Sequence, residues 1–314
     1  MVGGPIGVVG ASGFVGSAVV KALLRRGFDV REISAPRLPR IAPADARHYV
    51  NANPNVVNSL CAALNGCSAV VNAAGYARAE SQDEYQLTAA NGVLPGIVAS
   101  VACEIGAHRY VHVSSAAVQG RKPILDESDE FEGFSPYSRS KILGESIAKL
   151  YSAGISVIYR PPSVHGVDRP QTRAIARIAA SPLGSVASPG KEPTPQALIE
   201  NVGDAIAFLV TTDRRPPAVV IHPWEGLSTT ELLLKLGGRK PTRVPRRMAR
   251  AVVEAASAIG RVTPELTATA RRLEMLWFGQ GQAASWLQAA GWVPLAGPSS
   301  WAELGQAIRT TRET

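Results

Sequence analysis

Tyr137 and Lys141 stand four residues apart in Ser135-Pro136-Tyr137-Ser138-Arg139-Ser140-Lys141, inside a segment whose pattern reads as helix. One helix face therefore carries a phenol and an ammonium side by side. A protonatable oxygen beside a fixed positive charge is what moving a proton on or off a carbinol oxygen requires. At about 5 Å and an effective dielectric of about 20, one ammonium stabilises a phenolate by roughly 3 kcal/mol, or about two pKa units. That shift carries a phenol towards neutrality, where proton transfer works best. Ser115 ends the strand pattern before this helix and offers a hydroxyl to the same substrate oxygen. Ser115, Tyr137 and Lys141 are the catalytic candidates.

A second signal lies near the start of the chain. Gly10-Ala11-Ser12-Gly13-Phe14-Val15-Gly16 follows the apolar run Ile6 to Val9 and opens a helical pattern. In that context the first glycine permits a tight turn, the second lets backbone approach a pyrophosphate, and the third lets helix pack on strand. The helix start presents free N–H groups to the phosphates. Gly10, Ser12, Gly13, Phe14, Val15 and Gly16 are thus predicted to cradle a dinucleotide. An acidic residue after the second strand would hold the adenosine ribose hydroxyls. Ser34 occupies that place, eighteen residues after Gly16, with Arg37 following and Arg40 nearby. A hydroxyl and a guanidinium suit a 2′-phosphate, so NADP(H) is favoured over NAD(H). With such a cofactor the chemistry becomes hydride transfer, and Lys141 gains a second task in holding the nicotinamide ribose.

The elements that must position these residues alternate. Strand patterns fall at Ile6 to Val9, Asp29 to Ile33, Ala69 to Asn72, Tyr110 to Val113, Ser156 to Tyr159 and Ala218 to Ile221. Helical patterns run from Val15 to Arg26 (stopped by Gly27), Leu60 to Leu64, Val93 to Ile105, Tyr137 to Tyr151 and Asn201 to Leu209. Each parallel crossover needs a helix to return over, so the fold class is α/β, a doubly wound parallel sheet. After Arg160-Pro161-Pro162 the texture changes, and Pro, Gly and Ser are dense from Ser181 to Pro195. Residues 1–162 with about 197–222 read as the dinucleotide-binding domain. About 163–196 with 223–314 read as a smaller, discontinuous substrate-side lobe.

Composition narrows the rest. The 314 residues are 46% hydrophobic, enough for a large core. No apolar run reaches the roughly 18 residues that a membrane span needs, and no basic start or cleavage site marks a signal peptide. Cys61, Cys67 and Cys103 form no CxxC and read as buried thiols in a reducing cytoplasm. No metal site is predicted. The net charge of +8 includes a local cluster of Arg239, Lys240, Arg243, Arg246, Arg247 and Arg250. It is compatible with an anionic substrate, a membrane surface or nucleic acid, and most simply with a solvated helix start. No aromatic interleaving or nucleic-acid motif accompanies it, so no nucleic-acid partner is expected. His112 and His165 have no visible partner and read as core or rim residues.

The glycine loop, Asn72-Ala73-Ala74-Gly75, Val113-Ser114-Ser115-Ala116-Ala117-Val118, the Tyr137/Lys141 pair and Arg160-Pro161-Pro162 stand in one order. In that order they resemble the extended short-chain dehydrogenase/reductase superfamily of the epimerase/dehydratase type, over about residues 6 to 222. The resemblance implies a Rossmann fold in which Ala73, Ala74 and Gly75 line the cofactor and Pro161 and Pro162 flank the nicotinamide. It also implies that Asn91 lies on the helix behind the active site and that Asn53 replaces the Asp that meets the adenine. Asn201 stands where the family's stretch after Ile199 usually has Asp. Gln119 and Ser163 depart from residues common in nucleotide-sugar epimerases.

The leading expectation is a ketoreductase or 4-epimerase of a nucleotide-linked sugar. Arg173, Arg177 or the 239–250 cluster would meet the diphosphate. The alternative resembles hydroxysteroid dehydrogenases and dihydroflavonol reductases, with an apolar ketone. A cofactor-sensing protein without turnover is a third reading, although such proteins commonly lose the Tyr or the Lys. Ala116 and Ala117, where an added carboxylate would sit, argue against sugar dehydration. Homodimerisation through helices at Val93–Ile105 and Tyr137–Tyr151 is implied by the same resemblance.

Overall fold

A computed structural model describes residues 3–78, 80–262 and 267–310. Six parallel strands form the central sheet: β1 (Ile6–Val9), β2 (Val30–Ile33), β3 (Ala69–Asn72), β4 (Arg109–Val113), β5 (Ser156–Arg160) and β6 (Val219–Ile221). Their order is β6-β5-β4-β3-β1-β2. The chain winds one way from β1 to β2 and the other way from β3 onwards. A switch point therefore opens between the C-terminal ends of β1 and β3, where open α/β sheets bind ligands.

The inner strands are mostly apolar because helices cover both faces, while the edge strand β2 carries Arg31 and Glu32. Successive side chains alternate between two cores. Ile6, Val8, Ala69, Val71, Val111, Val113, Val157 and Tyr159 pack beneath the helices Phe14–Arg25 and Ile199–Thr211. Val9, Val70, Tyr110 and Ile158 pack on the other side, with the helices Pro54–Leu64, Leu94–Glu104 and Pro136–Tyr151. This is a doubly wound Rossmann sheet, as expected, with each observed strand starting and ending within about a residue of its pattern.

Beyond β5, two of the short parallel pairings, Ser163–His165 with Gln196–Leu198 and Ser185–Ala187 with Thr242–Val244, lie wholly in the chain's second half. A third, Ile124–Leu125 with Gly281–Gln282, ties the region after β4 to the C-terminal quarter. Residues 263–266 and 311–314 of the expected lobe lie outside the described residues.

One helical stretch, Glu84–Glu104, is long and apolar enough to cross a membrane, but 78% of its apolar window is buried inside the molecule. Leu94–Glu104 is covered by Pro54–Leu64 and Pro136–Tyr151 of the same chain. The three cysteines are free, and burial raises each thiol pKa.

Candidate active site

Gly10 begins the turn after β1 at φ +82°, a left-handed conformation open to glycine. It also lies against the β3 loop, since a Cβ there would fall 2.8 Å from the Ala74 backbone. At Gly16 a Cβ would lie 2.0 Å from the Gly10 carbonyl, so the first helical turn rests directly on the loop. Gly13 differs: its Cβ position meets only the Gly10 oxygen, at 3.2 Å. It faces open space at the N-cap of Phe14–Arg25, a helix with no side-chain cap and no acidic residue in its first turn. Uncapped N–H groups with room in front of them fit a pyrophosphate. Ser12 is exposed beside them, and Val15 packs against the first core.

At the adenosine end, Ser34 and Arg37 are exposed just after β2. Arg40 pairs with Asp83 at 3.0 Å and lies over the Tyr85 ring. Arg37 makes no ion pair among the described residues and so remains available to a phosphate. Asn53 sits at the N-terminus of Pro54–Leu64 and donates its amide to the Tyr49 carbonyl at 2.6 Å.

The β3 loop is held from behind. Asn72 accepts from the Ala74 N–H at 3.1 Å, and Asn91 accepts from Tyr76 N–H at 2.8 Å. Asn91 also donates to the Tyr76 carbonyl and to Ser140, each at 3.1 Å. Its amide is fully engaged with the chain itself. Asn91, a cofactor-binding candidate from the same resemblance, thereby holds the β3 loop from a π-helical segment, Thr88–Val93, that aims it there. At Gly144 a Cβ would meet the Asn91 carbonyl at 1.9 Å, so Pro136–Tyr151 closes onto this segment only through glycine. At Gly75 a Cβ would lie 2.9 Å from Asn91 Oδ1 and 3.3 Å from Lys141 Nζ. Ala73, Ala74, Gly75, Asn91 and Lys141 therefore converge at the end of β3.

Pro136–Tyr151 starts with Ser135 at the N-cap in a reciprocal capping box with Ser138, and Pro136 in its first turn. That start sets the azimuth of Tyr137 and Lys141. Lys141 is 5% exposed and donates to the Val113 carbonyl at 3.0 Å. Burial pushes its pKa down to about 8, against an opposing pull from Glu145. Ser115 caps the short turn Ala116–Gln119, accepting from the Ala117 N–H at 3.2 Å, and lies near the Tyr137 phenol. The Ala116 N–H bonds the buried Pro161 carbonyl at 2.9 Å, fastening the β4 end to the β5 end.

The electrostatics differ from the sequence expectation. Burial raises the Tyr137 pKa, while the Ser115 hydroxyl and the Arg169 guanidinium lower it in part. Arg169 supplies a positive charge that lowers the phenol pKa, and Lys141 donates to the Val113 carbonyl. Desolvation is the larger effect because the phenolate would be buried without a full counter-charge. Arg169 precedes the helix Pro170–Ala180 and lies over the Phe14 ring at 5.1 Å. Arg272, from Thr267–Phe278, is close enough to Arg169 to depress its pKa. Arg173, expected to meet a diphosphate, instead turns back to the Val167 carbonyl and to Asp168.

Arg169, Arg272 and Glu145 escaped the sequence reading. Only Glu145 left a signal there, four residues beyond Lys141 on the same face. Its carboxylate accepts from Ser114 and from Arg160, and both members of the ion pair are fully buried. Gln119 is bound to Asp126 in both directions, at 2.8 and 3.0 Å. His112 and His165 are buried core residues as expected, the latter between Gln196 and Thr172 with its pKa pushed down to about 4. No group of metal-ligating side chains occurs among the described residues.

Lys141 yields a pH prediction. Its folded pKa of about 8 lies below the ordinary lysine value of 10.5, so the unfolded chain binds more protons between the two. Stability should rise with pH across that window. Denaturation midpoints of wild type and Lys141→Met, measured across it, should show this rise only in wild type. Parallel profiles would refute it.

A parallel sheet with an uncapped glycine turn at its switch point defines a Rossmann nucleotide-binding protein. The chain belongs to the NAD-dependent epimerase/dehydratase family, whose model matches residues 6–205. It is 25% identical to a ceramide reductase of Caulobacter vibrioides, over 93% of this chain and 96% of that one. A vestitone reductase of Medicago sativa is 28% identical over 40% of this chain and 44% of its own. Among solved structures, a human epimerase family protein with NADPH superposes with a TM-score of 0.69 at 20% identity, covering 96% and 99% of the two chains. A UDP-glucuronic acid 4-epimerase from Bacillus cereus with NAD gives 0.66 at 18%, covering 98% and 99%.

Proposed function

We propose that the protein is an NADP(H)-linked oxidoreductase that interconverts a ketone and a secondary alcohol, with Ser115, Tyr137 and Lys141 as its catalytic residues. The observation that carries this reading is the convergence of Ser115, at the end of β4, with Tyr137, near the start of Pro136–Tyr151, close enough for the hydroxyl to lower the phenol pKa. The adjoining ends of β1 and β3 offer the phosphate cradle. A bound nicotinamide dinucleotide would supply the hydride donor or acceptor. Ser115 holds the substrate oxygen, and Tyr137 gives or takes its proton. Lys141, with N–H donors left beyond its bond to Val113, holds the nicotinamide ribose. Arg169 stabilises the phenolate as it forms. About 163–196 and 223–314 act as the substrate lobe.

Arg169, whose charge acts on Tyr137, favours a substrate with an anionic group, as a nucleotide-linked sugar has, whereas Arg272 is paired with Glu80 at 3.1 Å. A second reading, reduction of an apolar ketone, is favoured by the two curated relatives, both reductases by name. Turnover with sugar nucleotides and with hydrophobic ketones, after fluorescence titration with NADPH and NADH, tests the proposal. No turnover on either panel, with no binding of either cofactor, would sink it.

The preference for NADP(H) rests on Ser34 and the unpaired Arg37. Arg37→Ala should weaken NADPH binding about tenfold, the worth of one charge-assisted phosphate contact, and leave NADH unchanged. An equal effect on both cofactors would remove Arg37 from phosphate recognition.

A further inference from the structure

The helix Arg246–Val262 carries two apolar stripes, and only one is covered. Ala249 and Val253 are buried against the molecule. Met248, Val252, Ala255 and Ile259, spaced by four, three and four, form a second stripe open to solvent. Met248 is 62% exposed, Val252 47% and Ile259 54%. Scattered exposed apolar residues need no explanation, but an aligned stripe of them does.

The surroundings of the stripe are cationic. Six Lys and Arg residues lie between Gly238 and Val253 with no Asp or Glu among them, and the helix's first acidic residue, Glu254, follows. Arg246 is engaged, pairing with Glu192 and lying over the Phe278 ring at 5.2 Å. Arg239, Lys240, Arg243, Arg247 and Arg250 make no ion pair among the described residues. The strand Thr242–Val244 leads into the helix and pairs with Ser185–Ala187. That pairing sets Leu183, 77% exposed, near the base of the helix, where Thr242 N–H bonds the Gly184 carbonyl.

We propose that this face docks on an anionic lipid bilayer, with the helix lying in the interfacial plane. The apolar stripe enters the acyl boundary while the unpaired guanidinium groups reach the headgroup phosphates. Charge complementarity selects this occupant. A symmetric contact with a second copy would bring the same unpaired arginines together, whereas anionic headgroups neutralise them. The docking surface holds whichever ketone Tyr137 serves.

Co-sedimentation of the full chain with vesicles tests the proposal. Vesicles of phosphatidylcholine with phosphatidylglycerol should capture the protein, and vesicles of phosphatidylcholine alone should not. Added salt should weaken capture. Arg243→Glu/Arg247→Glu should lower partitioning by at least about tenfold, since each arginine near an anionic surface contributes about fivefold. Val252→Asp/Ile259→Asp should do the same through the apolar stripe, with an unchanged unfolding midpoint showing that the variant is folded. Equal capture by both vesicles, no capture, or capture that survives both variants would overturn the proposal. So would tighter binding to a DNA duplex, or a dimer in solution that Val252→Asp/Ile259→Asp dissociates.

Discussion

Replacing Tyr137 with Phe should lower kcat by about a thousandfold, within the 10²–10⁴ range of a general acid–base group. The substitution removes the phenol oxygen and keeps the ring, so the packing of Pro136–Tyr151 should survive. NADPH binding should change by less than about threefold, because the phosphate cradle lies on the Gly10–Gly16 turn. Since K_M reports a different balance, kcat and cofactor affinity need separate measurement. A protein that only senses NADP(H) would bind it identically in both forms and turn over in neither. Turnover of Tyr137→Phe within about tenfold of wild type would mean that another group moves the proton. Ser115 lies close enough to the phenol to lower its pKa, so the proton donor and the substrate-holding hydroxyl are neighbours.

The second large effect concerns the buried pair beneath the site. Glu145 accepts from Arg160 at 3.0 and 2.7 Å and from the Ser114 hydroxyl at 2.5 Å, and neither charged side chain is exposed. Glu145→Ala leaves the Arg160 guanidinium without its counter-ion, with only the Ser128 carbonyl and the Phe131 ring to stabilise it. Removing one member of such a pair costs about 3–5 kcal/mol. Urea denaturation should report that loss as a lower midpoint. A Glu145→Met/Arg160→Met double variant should recover most of it, because it leaves no lone buried charge. A loss below about 1 kcal/mol in Glu145→Ala would show that water or another carboxylate compensates Arg160. The pair joins β5 to Pro136–Tyr151, so its removal should also loosen the placement of Lys141.

Much of this architecture was readable along the chain. The strand runs at Ile6, Ala69 and Ser156 were visible because both sheet faces are covered and their central positions are apolar. Gly10 and Gly16 were visible because local backbone geometry admits no other residue there. The Tyr137 and Lys141 pair followed from helical spacing alone. All three signals live within a few residues, where the physics is short-ranged.

What only the folded chain decided concerns charge and convergence. The phenol was expected to be acidified by Lys141. Folding bonds that ammonium to the Val113 carbonyl and brings Arg169, thirty-two residues beyond Tyr137 in sequence, close enough to lower the phenol pKa as well. Asn91 was expected at the cofactor, and a π-helical turn directs its amide into the loop at Tyr76. Residue types and short spacings determined the sheet, the glycine turn and the catalytic candidates. Which cation faces the phenol, and which polar groups are buried, depended on elements far apart in sequence meeting in space, because desolvation and Coulomb interactions follow distance in three dimensions.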